Sequence, residues 1–399
     1  SVSYPNEELP AARPNRTTPM YDIFSDMGAV WGQQYGLEVV NYFAQEGEPS
    51  FETPSFRRSD AFDATAREVR GVRGGVGINE VHNFGKYRVT GPRARAWLDR
   101  IMAGRVPQPG RLSLTPMLSD KGKLIGDFTI SCLSAEEFQL TASYGSQNYH
   151  FRWFSNHLED GVHVENISDT RTGFQIAGPK ARAVLAACTR TDISEMKFRD
   201  VRRMTVGMTN CIVQRVSYTG DLGYEIYCDP MGQRALWWTL WAAGQPHGMV
   251  PFGMRAMMSL RLDKHFGSWM AEFSPDYTAA ETGLDRFIDF KKDTEFIGRA
   301  AAEAERVRGT TRRLVALAVD AVDADVHGYE PIWLDGEVVG FCTSGGYSHH
   351  TGTSIAQGFL PRQAVSDGLK VEIEILGQMR PATVTLTPPF DADGARMRG

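Results

Sequence analysis

The sequence predicts an α+β protein of three domains, and three patterns support that prediction. A unit of strand, glycine turn and helix occurs twice, hairpin-like stretches follow each copy, and residues 311–399 contain only short strand patterns. Mixed helical and strand segments followed by an all-β tail are typical of α+β proteins with separate domains. The length of 399 residues agrees with two or three domains of about 150 residues each.

The first fifty or so residues are rich in proline, glutamate and aromatic residues without a clean period. We expect an extended arm wrapped on a folded body, with a solvated linker as the alternative. Residues 60–73 place apolar side chains at helical spacing, which predicts an amphipathic helix that ends at Gly74 and Gly75.

The duplication is visible in two aligned segments. Residues 87–98 read YRVTGPRARAWL and residues 174–185 read FQIAGPKARAVL, with six identities in twelve positions. Each predicts a strand, a glycine turn, a proline at the first helical position and an apolar helix face. Six identities favour duplication over chance, so we expect two related α+β units.

The remaining elements complete the α+β pattern. Strand hairpins are expected over 112–143, with a turn at residues 120–122, and over 211–228, and a Trp-rich core helix over about 232–243. After residue 311 come short alternating strands, with a hairpin turn at Asp335 and Gly336, which predict a small β-barrel or sandwich.

Composition and missing motifs exclude several classes of function. The net charge is −5, no block of five like charges occurs, and no apolar run approaches the roughly 18 residues of a membrane span. We therefore expect neither nucleic-acid nor membrane partners. Five scattered cysteines without C-x-x-C spacing argue against zinc or a disulfide framework. The sequence has no P-loop, H-E-x-x-H, G-x-S-x-G or dinucleotide fingerprint, so we expect no metal site and no FAD or NAD in this chain.

Asp127 is a candidate acid within the strand pattern LIGDFTI. A carboxylate on a strand usually faces solvent. The alternative is a site acid whose ionisation is tuned by partial burial.

The segment SYTGDLGYEIY places Tyr218 and Glu225 on either side of a turn between Gly220 and Gly223. We expect the two residues on the flanking strands, within reach of one flat ligand whose paired N–H donors the carboxylate accepts. A structural hairpin with an exposed glutamate is the equal alternative.

The helix pattern FGMRAMMSLRLDK carries Arg255 and Arg261 about two turns apart. Arginines with buried stems often only pair with a neighbouring acid. Binding of an anionic ligand tail is the sharper hypothesis.

These segments, with GKLIGDFTI and EVVGFCTSGGYS, resemble the folate-binding aminomethyltransferase family of the glycine cleavage T-protein. SYPNEELPAARPNRTTPMYD, NFGKYRVTG and SPDYTAAETGLDRF further resemble the C-terminal half of dimethylglycine and sarcosine dehydrogenases and dimethylglycine oxidase. The resemblance covers nearly the whole chain from about residue 54. It implies a cloverleaf-like arrangement of two related α+β domains with antiparallel sheets and a C-terminal β-barrel.

The resemblance also implies domain boundaries. They are an N-terminal arm over 1–53, a folate-binding domain over 54–78 and 165–262, a second α+β domain over 79–164 and 263–310, and the barrel over 311–399.

Site roles follow from the same resemblance. Asp127 matches the aspartate beside the reactive folate nitrogens, and Glu225 matches the carboxylate that holds the pterin. Tyr218 matches an aromatic residue beside the pterin, and Arg255 matches an arginine of the tetrahydrofolate site. Thr141 falls at a folate contact, and Trp269 stands at a tyrosine position of T-proteins. All four are folate-binding candidates. T-proteins also place a C-terminal tyrosine near folate, for which DADGARMRG has no counterpart. These two departures argue against glycine cleavage with a lipoyl carrier.

Our leading hypothesis is a transferase that moves the one-carbon unit of an N-methyl substrate, of the dimethylglycine or sarcosine type, to tetrahydrofolate, giving 5,10-methylene-tetrahydrofolate. The alternatives are a stand-alone demethylase that forms 5-methyl-tetrahydrofolate from a sulfonium, quaternary amine or aryl ether, and a non-catalytic folate-binding domain. We expect an FAD-dependent oxidoreductase module as partner, a cytoplasmic location or the mitochondrial matrix in a eukaryote, and, because residue 1 is Ser, a chain that is one half of a longer enzyme.

Overall fold

The computed structural model describes Tyr4 and residues 7–399, so residues 1–3 and 5–6 of the expected arm lie outside the described residues. The α-helices of this part are α1 Tyr21–Asp26, α2 Ala61–Gly74, α3 Ala94–Ile101, α4 Gln147–Asn156, α5 Ala181–Cys188, α6 Pro230–Gly244, α7 Met254–Leu262, α8 Ala279–Thr282, α9 Arg299–Arg308 and α10 Ala395–Arg398.

Its strands are β1 Ala29–Gln34, β2 Leu37–Phe43, β3 Gly77–Glu80, β4 Phe84–Thr90, β5 Leu112–Leu118, β6 Leu124–Ser134, β7 Glu137–Ser143, β8 His163–Asn166, β9 Thr172–Ala177, β10 Val201–Val206, β11 Thr209–Gln214, β12 Gly223–Cys228, β13 Val250–Pro251, β14 Arg312–Val319, β15 Pro331–Leu334, β16 Glu337–Ser348, β17 Thr353–Pro361, β18 Lys370–Ile375 and β19 Gln378–Thr385.

The first sheet has six strands in the order β10-β11-β12-β9-β3-β13, antiparallel except for the β3–β13 pair. Helices α5 and α6 pack on it through a core that includes Phe174 and Trp237. The Trp-rich helix was expected in the core, but its tryptophans differ in burial. Trp237 is buried, whereas the adjacent Trp238 lies on the outer face of α6 and is 55% exposed. The predicted domain boundary after residue 78 falls inside β3.

The second sheet is antiparallel throughout, in the order β5-β6-β7-β4-β8. Its core contains Trp97 from α3, Phe128 from β6 and Phe154 from α4. The predicted turn at 120–122 connects β5 to β6, and Gly122 adopts φ 74°, which glycine tolerates best.

The two copies of the sequence repeat have the same local structure. β4 leads through Gly91 to α3, and β9 leads through Gly178 to α5. The two glycines have φ 120° and 126°, and both strands are flanked by neighbours in their sheets. The helices begin at Ala94 and Ala181, so the prolines lie in the preceding turns rather than at the first helical position.

The C-terminal strands close into a six-stranded barrel in the order β14-β17-β16-β15-β18-β19. Closure excludes the sandwich and confirms the α+β fold with a C-terminal barrel. Asp335 and Gly336 form the β15–β16 turn with φ 53° and 83°, the positive values that a two-residue hairpin turn requires.

The N-terminal segment is more structured than an extended arm. Residues 21–43 form α1 and the β1–β2 hairpin. β2 is buried at all seven residues because Val40 and Phe43 join the core of the first sheet while Tyr42 packs with Ala61 and Ala64 of α2. Burial on both faces removes the polar alternation that would have revealed the strand. Within the described residues, no helix has the length and apolarity needed to cross a bilayer.

Candidate functional site

A cavity of about 1410 Å³ lies where the two sheets, α7, the segment after α7 and the barrel meet. Its wall contains all six residues that the sequence singled out: Asp127, Thr141, Tyr218, Glu225, Arg255 and Trp269. The fold therefore brings together residues from two sheets, a helix and two loops.

A row of polar side chains crosses the first sheet at the cavity. Antiparallel register places Gln214, Glu225, Gln175 and Asn79 opposite one another on β11, β12, β9 and β3. Residues paired in this way project from the same face. Gln175 Nε2 donates to Asn79 Oδ1 at 3.1 Å, and Asn79 Nδ2 donates to the Phe252 carbonyl at 2.6 Å. Glu225 thus lies in an ordered polar row of a largely apolar sheet.

Glu225 is buried, with only 8% of its surface exposed. Burial raises its pKa to about 7, while a hydrogen bond from Tyr227 and the charge of Lys86 oppose the rise. The Tyr227 hydroxyl donates to Glu225 Oε2 at 2.8 Å. A ligand that offers N–H donors to this carboxylate would favour its charged form, because such bonds are made to the ionised group.

Asp127 lies on β6 opposite Pro116 of the edge strand β5. The carboxyl group faces the cavity rather than bulk solvent, and burial raises its pKa to about 6. Within the described part of the chain, burial and a hydrogen bond from its own backbone are the influences on this carboxyl group, and no charged neighbour acts on it. A carboxyl group that titrates near neutrality without a charged neighbour is able to hold or move a proton at a ligand.

Thr141 lines the cavity from β7, the strand next to β6 in the sheet that carries Asp127. It is opposite Thr129 of β6 and Lys86 of β4, so these three residues form a row across the second sheet. Both threonines line the cavity, whereas Lys86 is fully buried beneath it.

Tyr218 lies in the loop of residues 215–222, not on a strand as the sequence suggested. The Ser217 and Thr219 hydroxyls hydrogen-bond at 2.7 Å, and Thr219 Oγ1 accepts from the Asp221 amide. Such side-chain bonds draw the backbone away from the strand ladder. The Tyr218 hydroxyl donates to the Gly267 carbonyl at 2.7 Å, which fixes its ring at the cavity.

Arg255 pairs with Glu52 and also lines the cavity. Its Nη2 and Nε lie 2.8 and 3.1 Å from Glu52 Oε2. Arg261 is fully buried and does not line the cavity; it binds Glu272 at 3.1 Å and Ser344 Oγ at 2.8 Å, so it holds α7 against the barrel.

Trp269 follows α7 and packs its ring against the buried His150, with centroids 5.5 Å apart at 62°. His150 Nε2 lies 3.0 Å from the Ile125 carbonyl, and burial lowers the pKa of this histidine to about 4. The neutral imidazole supports the Trp at the cavity wall.

The sequence did not reveal the cationic part of the wall, formed by Arg111, Arg199, Arg286 and Arg398. The pKa of Arg199 is lowered by burial and by the charges of the other three. The four arginines lie far apart in the chain without a motif, so only the fold shows that an acidic protein has a basic cavity rim. Asp200 pairs with Arg111 and offsets one of the four positive charges. The cluster therefore keeps a net positive charge, which would attract an anionic ligand.

Comparison with known proteins supports a family assignment. The GCVT N-terminal domain family matches residues 20–292, and the glycine cleavage T-protein C-terminal barrel domain family matches residues 312–391. The mitochondrial dimethylglycine dehydrogenase of Mus musculus is 34% identical over 403 residues, which cover 100% of this chain and 46% of that protein. The Homo sapiens protein of the same name gives the same values. The chain thus spans about half the length of these relatives.

Shorter relatives and a solved structure agree. The aminomethyltransferase of Bacteroides thetaiotaomicron is 30% identical over 319 residues, 79% of this chain and 88% of that protein. The crystal structure of glycine cleavage system aminomethyltransferase T from Bartonella henselae has a TM-score of 0.82 at 20% identity and covers 95% of this chain and 99% of that one, so the two share a fold. The chain therefore belongs to the glycine cleavage T-protein family of aminomethyltransferases.

Proposed function

We propose that this chain transfers a one-carbon unit from an N-methyl substrate of the dimethylglycine or sarcosine type to tetrahydrofolate, forming 5,10-methylene-tetrahydrofolate. One observation carries the proposal. Two carboxyl groups with raised pKa values, Glu225 and Asp127, line one cavity from two different sheets. One is suited to hold a flat ligand and the other to act at its reactive nitrogen.

The cavity fits the pterin group of a folate. Gln175 Oε1 is buried and has no hydrogen-bond partner among the described residues. It belongs to the residue paired with Glu225 across the strand ladder. The carboxylate and this amide oxygen therefore offer adjacent acceptors to the N–H groups along one pterin edge. The folate supplies the nucleophilic amine of the reaction.

The other residues have supporting roles. Tyr218, Thr141 and Trp269 line the surfaces around the ring, and the cationic rim balances the carboxylates of the folate tail. Arg255 also lines the cavity, and its charge is paired with Glu52, so its proposed role is to contact the folate rather than to add net positive charge. These groups hold the amine and the donor close together in one cavity, and such positioning accounts for much of the rate gain in transfers of this kind.

Asp127 acts at the reacting centre. Its carboxylate orients the amine, stabilises the positive charge that develops as the carbon is transferred, and accepts a proton there. Its pKa of about 6 keeps it mostly ionised at neutral pH and still basic enough to take that proton.

The donor is supplied by an FAD-dependent oxidoreductase module. The name dimethylglycine dehydrogenase and the greater length of those relatives support this part of the proposal. We propose the mitochondrial matrix in a eukaryote and the cytoplasm otherwise; the designation of those relatives as mitochondrial supports the first part.

The test is to incubate the chain with tetrahydrofolate and dimethylglycine, with and without a flavin-dependent dimethylglycine oxidising enzyme, and to identify the folate product by mass spectrometry. We expect methylene-tetrahydrofolate only when the amine is oxidised. Asp127→Ala should abolish transfer and leave folate binding largely intact. Methyl-tetrahydrofolate formed without an oxidant would establish the demethylase alternative, and binding without turnover of any donor would indicate a non-catalytic folate-binding domain.

A further inference from the structure

The N-terminal segment before α2 forms one part of the cavity wall. Glu8, Gln33 and Asn41 line the cavity there, together with Arg255 of α7. The cavity volume of about 1410 Å³ exceeds the roughly 300–1,000 Å³ of a site for one small ligand. The cavity therefore has room for a second molecule beside a folate, and the N-terminal wall is available to bind it.

Glu8 is an acid that a ligand in the cavity can reach, because 28% of its side-chain surface is exposed. Its Oε1 accepts a hydrogen bond from the Gln33 amide at 3.3 Å, and its Oε2 accepts from Arg13 Nη1 at 3.1 Å. Arg13 also binds Glu38, through two hydrogen bonds of 3.0 and 2.6 Å. Glu8 therefore shares one guanidinium group with a second carboxylate.

The ion pairs of this wall leave a surplus of negative charge. Arg13 pairs with Glu8 and Glu38. Arg255 pairs with Glu52, so three carboxylates face two guanidinium groups. Arg13 and Arg255 are the cations that act most strongly on Glu8, and no arginine of the cavity rim is among them. The N-terminal wall therefore favours a cationic group, whereas the arginine rim favours an anion.

Asn41 of β2 adds a hydrogen-bond donor beside Glu8. It is only 6% exposed, and its side chain reaches the cavity wall. Its amide is close enough to favour the ionised form of Glu8, yet Nδ2 has no hydrogen-bond partner in the described part of the chain. A buried N–H group without an acceptor costs free energy, which a carboxylate of a ligand would recover.

Gly32 of β1 leaves a space between these two groups. A Cβ at this position would lie 2.6 Å from Glu8 Oε1 and 2.6 Å from Asn41 Nδ2. Any side chain other than hydrogen would therefore fill the space that the carboxylate and the amide share. Glu8, Gly32 and Asn41 together form what we call the Glu8 recess, with an anionic acceptor and a neutral donor side by side.

We infer that the Glu8 recess binds the head group of the N-methyl amino acid donor: the Glu8 carboxylate receives the cationic nitrogen, and Asn41 Nδ2 donates to the carboxylate of the donor. The inference rests on the proposed function and assigns residues to its second substrate. Dimethylglycine carries both a positive nitrogen and a carboxylate, and the iminium ion formed by its oxidation keeps both charges. An amine without a carboxylate would use only half of the recess.

The direct test compares the binding of dimethylglycine and 3-methylbutanoate, in which a CH group replaces the cationic NH, by NMR titration of the chain. The wild-type chain should bind dimethylglycine about tenfold more tightly, because one hydrogen bond between charged groups distinguishes the two compounds. Glu8→Gln should remove this preference. Glu7→Gln is the matched control, because Glu7 is exposed and outside the cavity wall, and it should retain the preference. Equal wild-type affinities, or a preference that survives Glu8→Gln, would refute the inference.

Gly32→Ala blocks the recess without removing a charge. The added methyl group meets the ends of the Glu8 and Asn41 side chains, which are able to move, so the fold should be kept. Dimethylglycine should bind about tenfold more weakly, whereas the affinity for tetrahydrofolate should not change. Loss of both affinities, or of neither, would overturn the inference.

Asn41→Leu tests the other half of the recess. It should weaken the binding of dimethylglycine but not that of N,N-dimethylethylamine, which lacks the carboxylate. Equal weakening of the two ligands would show that Asn41 does not bind the carboxylate.

Two outcomes separate the recess from the proposed function. If dimethylglycine binds in a Glu8-dependent way but no methylene-tetrahydrofolate forms with an oxidising enzyme, the recess is supported and the proposed function fails. If methylene-tetrahydrofolate forms and Glu8→Gln leaves the KM for the oxidised donor unchanged, the proposed function stands and the recess is refuted. We expect Glu8→Gln to raise that KM with little change in kcat.

Discussion

Replacing Glu225 by Gln should make the ligand-free protein more stable while destroying its folate site. Glu225 is buried, and its carboxylate receives one hydrogen bond, from Tyr227, among the described residues. Gln keeps the shape and an acceptor for that hydroxyl but carries no charge. The stability gain is therefore the cost of holding an ionised carboxylate in the interior.

The magnitude follows from the pKa shift. Burial raises the pKa of Glu225 from the ordinary 4.5 to about 7. Between these values the folded protein binds a proton that the unfolded chain has released, so stability falls as the pH rises. Each pH unit contributes about 1.4 kcal/mol, and the total loss in the wild-type chain is about 3 kcal/mol at pH 8. Glu225→Gln avoids this loss, whereas at pH 4.5 the two proteins should be nearly equal.

The assay is denaturant unfolding of both proteins between pH 4.5 and 8.5. The difference between them isolates Glu225, because the other shifted acids, such as Asp127, titrate in both. The exposed Glu165 offers a control, since Glu165→Gln changes the net charge equally and should shift stability little at any pH. A difference that does not grow with pH, or a wild-type chain that is the more stable at pH 8, would refute the reasoning.

Three further outcomes are expected. Asp127→Asn should lower kcat by roughly 100-fold or more with little change in folate affinity, and should remove the fall in rate that the wild type shows below pH 6; a retained pH profile would show that another group titrates. Arg199→Gln should weaken folate binding by roughly threefold and make it less sensitive to salt, measured by fluorescence titration; an unchanged salt dependence would exclude the rim from binding. Gly178→Ala should cost about 3 kcal/mol or more, because its Cβ would lie 2.4 Å from the Val72 carbonyl oxygen, whereas Gly368→Ala, with φ 79° and no atom within 4 Å, should cost about 1–2 kcal/mol in the same unfolding assay. Equal losses would mean that the close contact at Gly178 has no effect.

The sequence predicted several helices, strands and turns because their sequence patterns involve neighbouring residues. The strand, glycine and helix repeat predicted β4–α3 and β9–α5, and Asp335-Gly336 marked the β15–β16 turn. The N-terminal hairpin escaped prediction because β2 is covered on both faces and shows no alternation. Tyr218 was expected on a strand, but hydroxyl bonds within the 215–222 loop end β11 earlier.

The candidate site also has residues that the sequence identified and features that only the fold shows. Asp127 and Glu225 stand out in sequence because a carboxylate within a strand pattern is unusual and because the surrounding motifs resemble a known family. Their convergence on one cavity depends on which sheets face each other. The arginine rim has no local signal in the sequence, because it forms only when remote segments pack together.

The sequence by itself therefore determined the α+β class, the duplicated unit and the strand-rich tail, and it singled out the two candidate acids, because periodicity, turn chemistry and motif are properties of neighbouring residues. Only the tertiary structure decided that Arg255 pairs with Glu52 and that Asp127 and Glu225 line one cavity from two different sheets. Electrostatic effects depend on distance and on exclusion of water, and both are set when distant parts of the chain pack together.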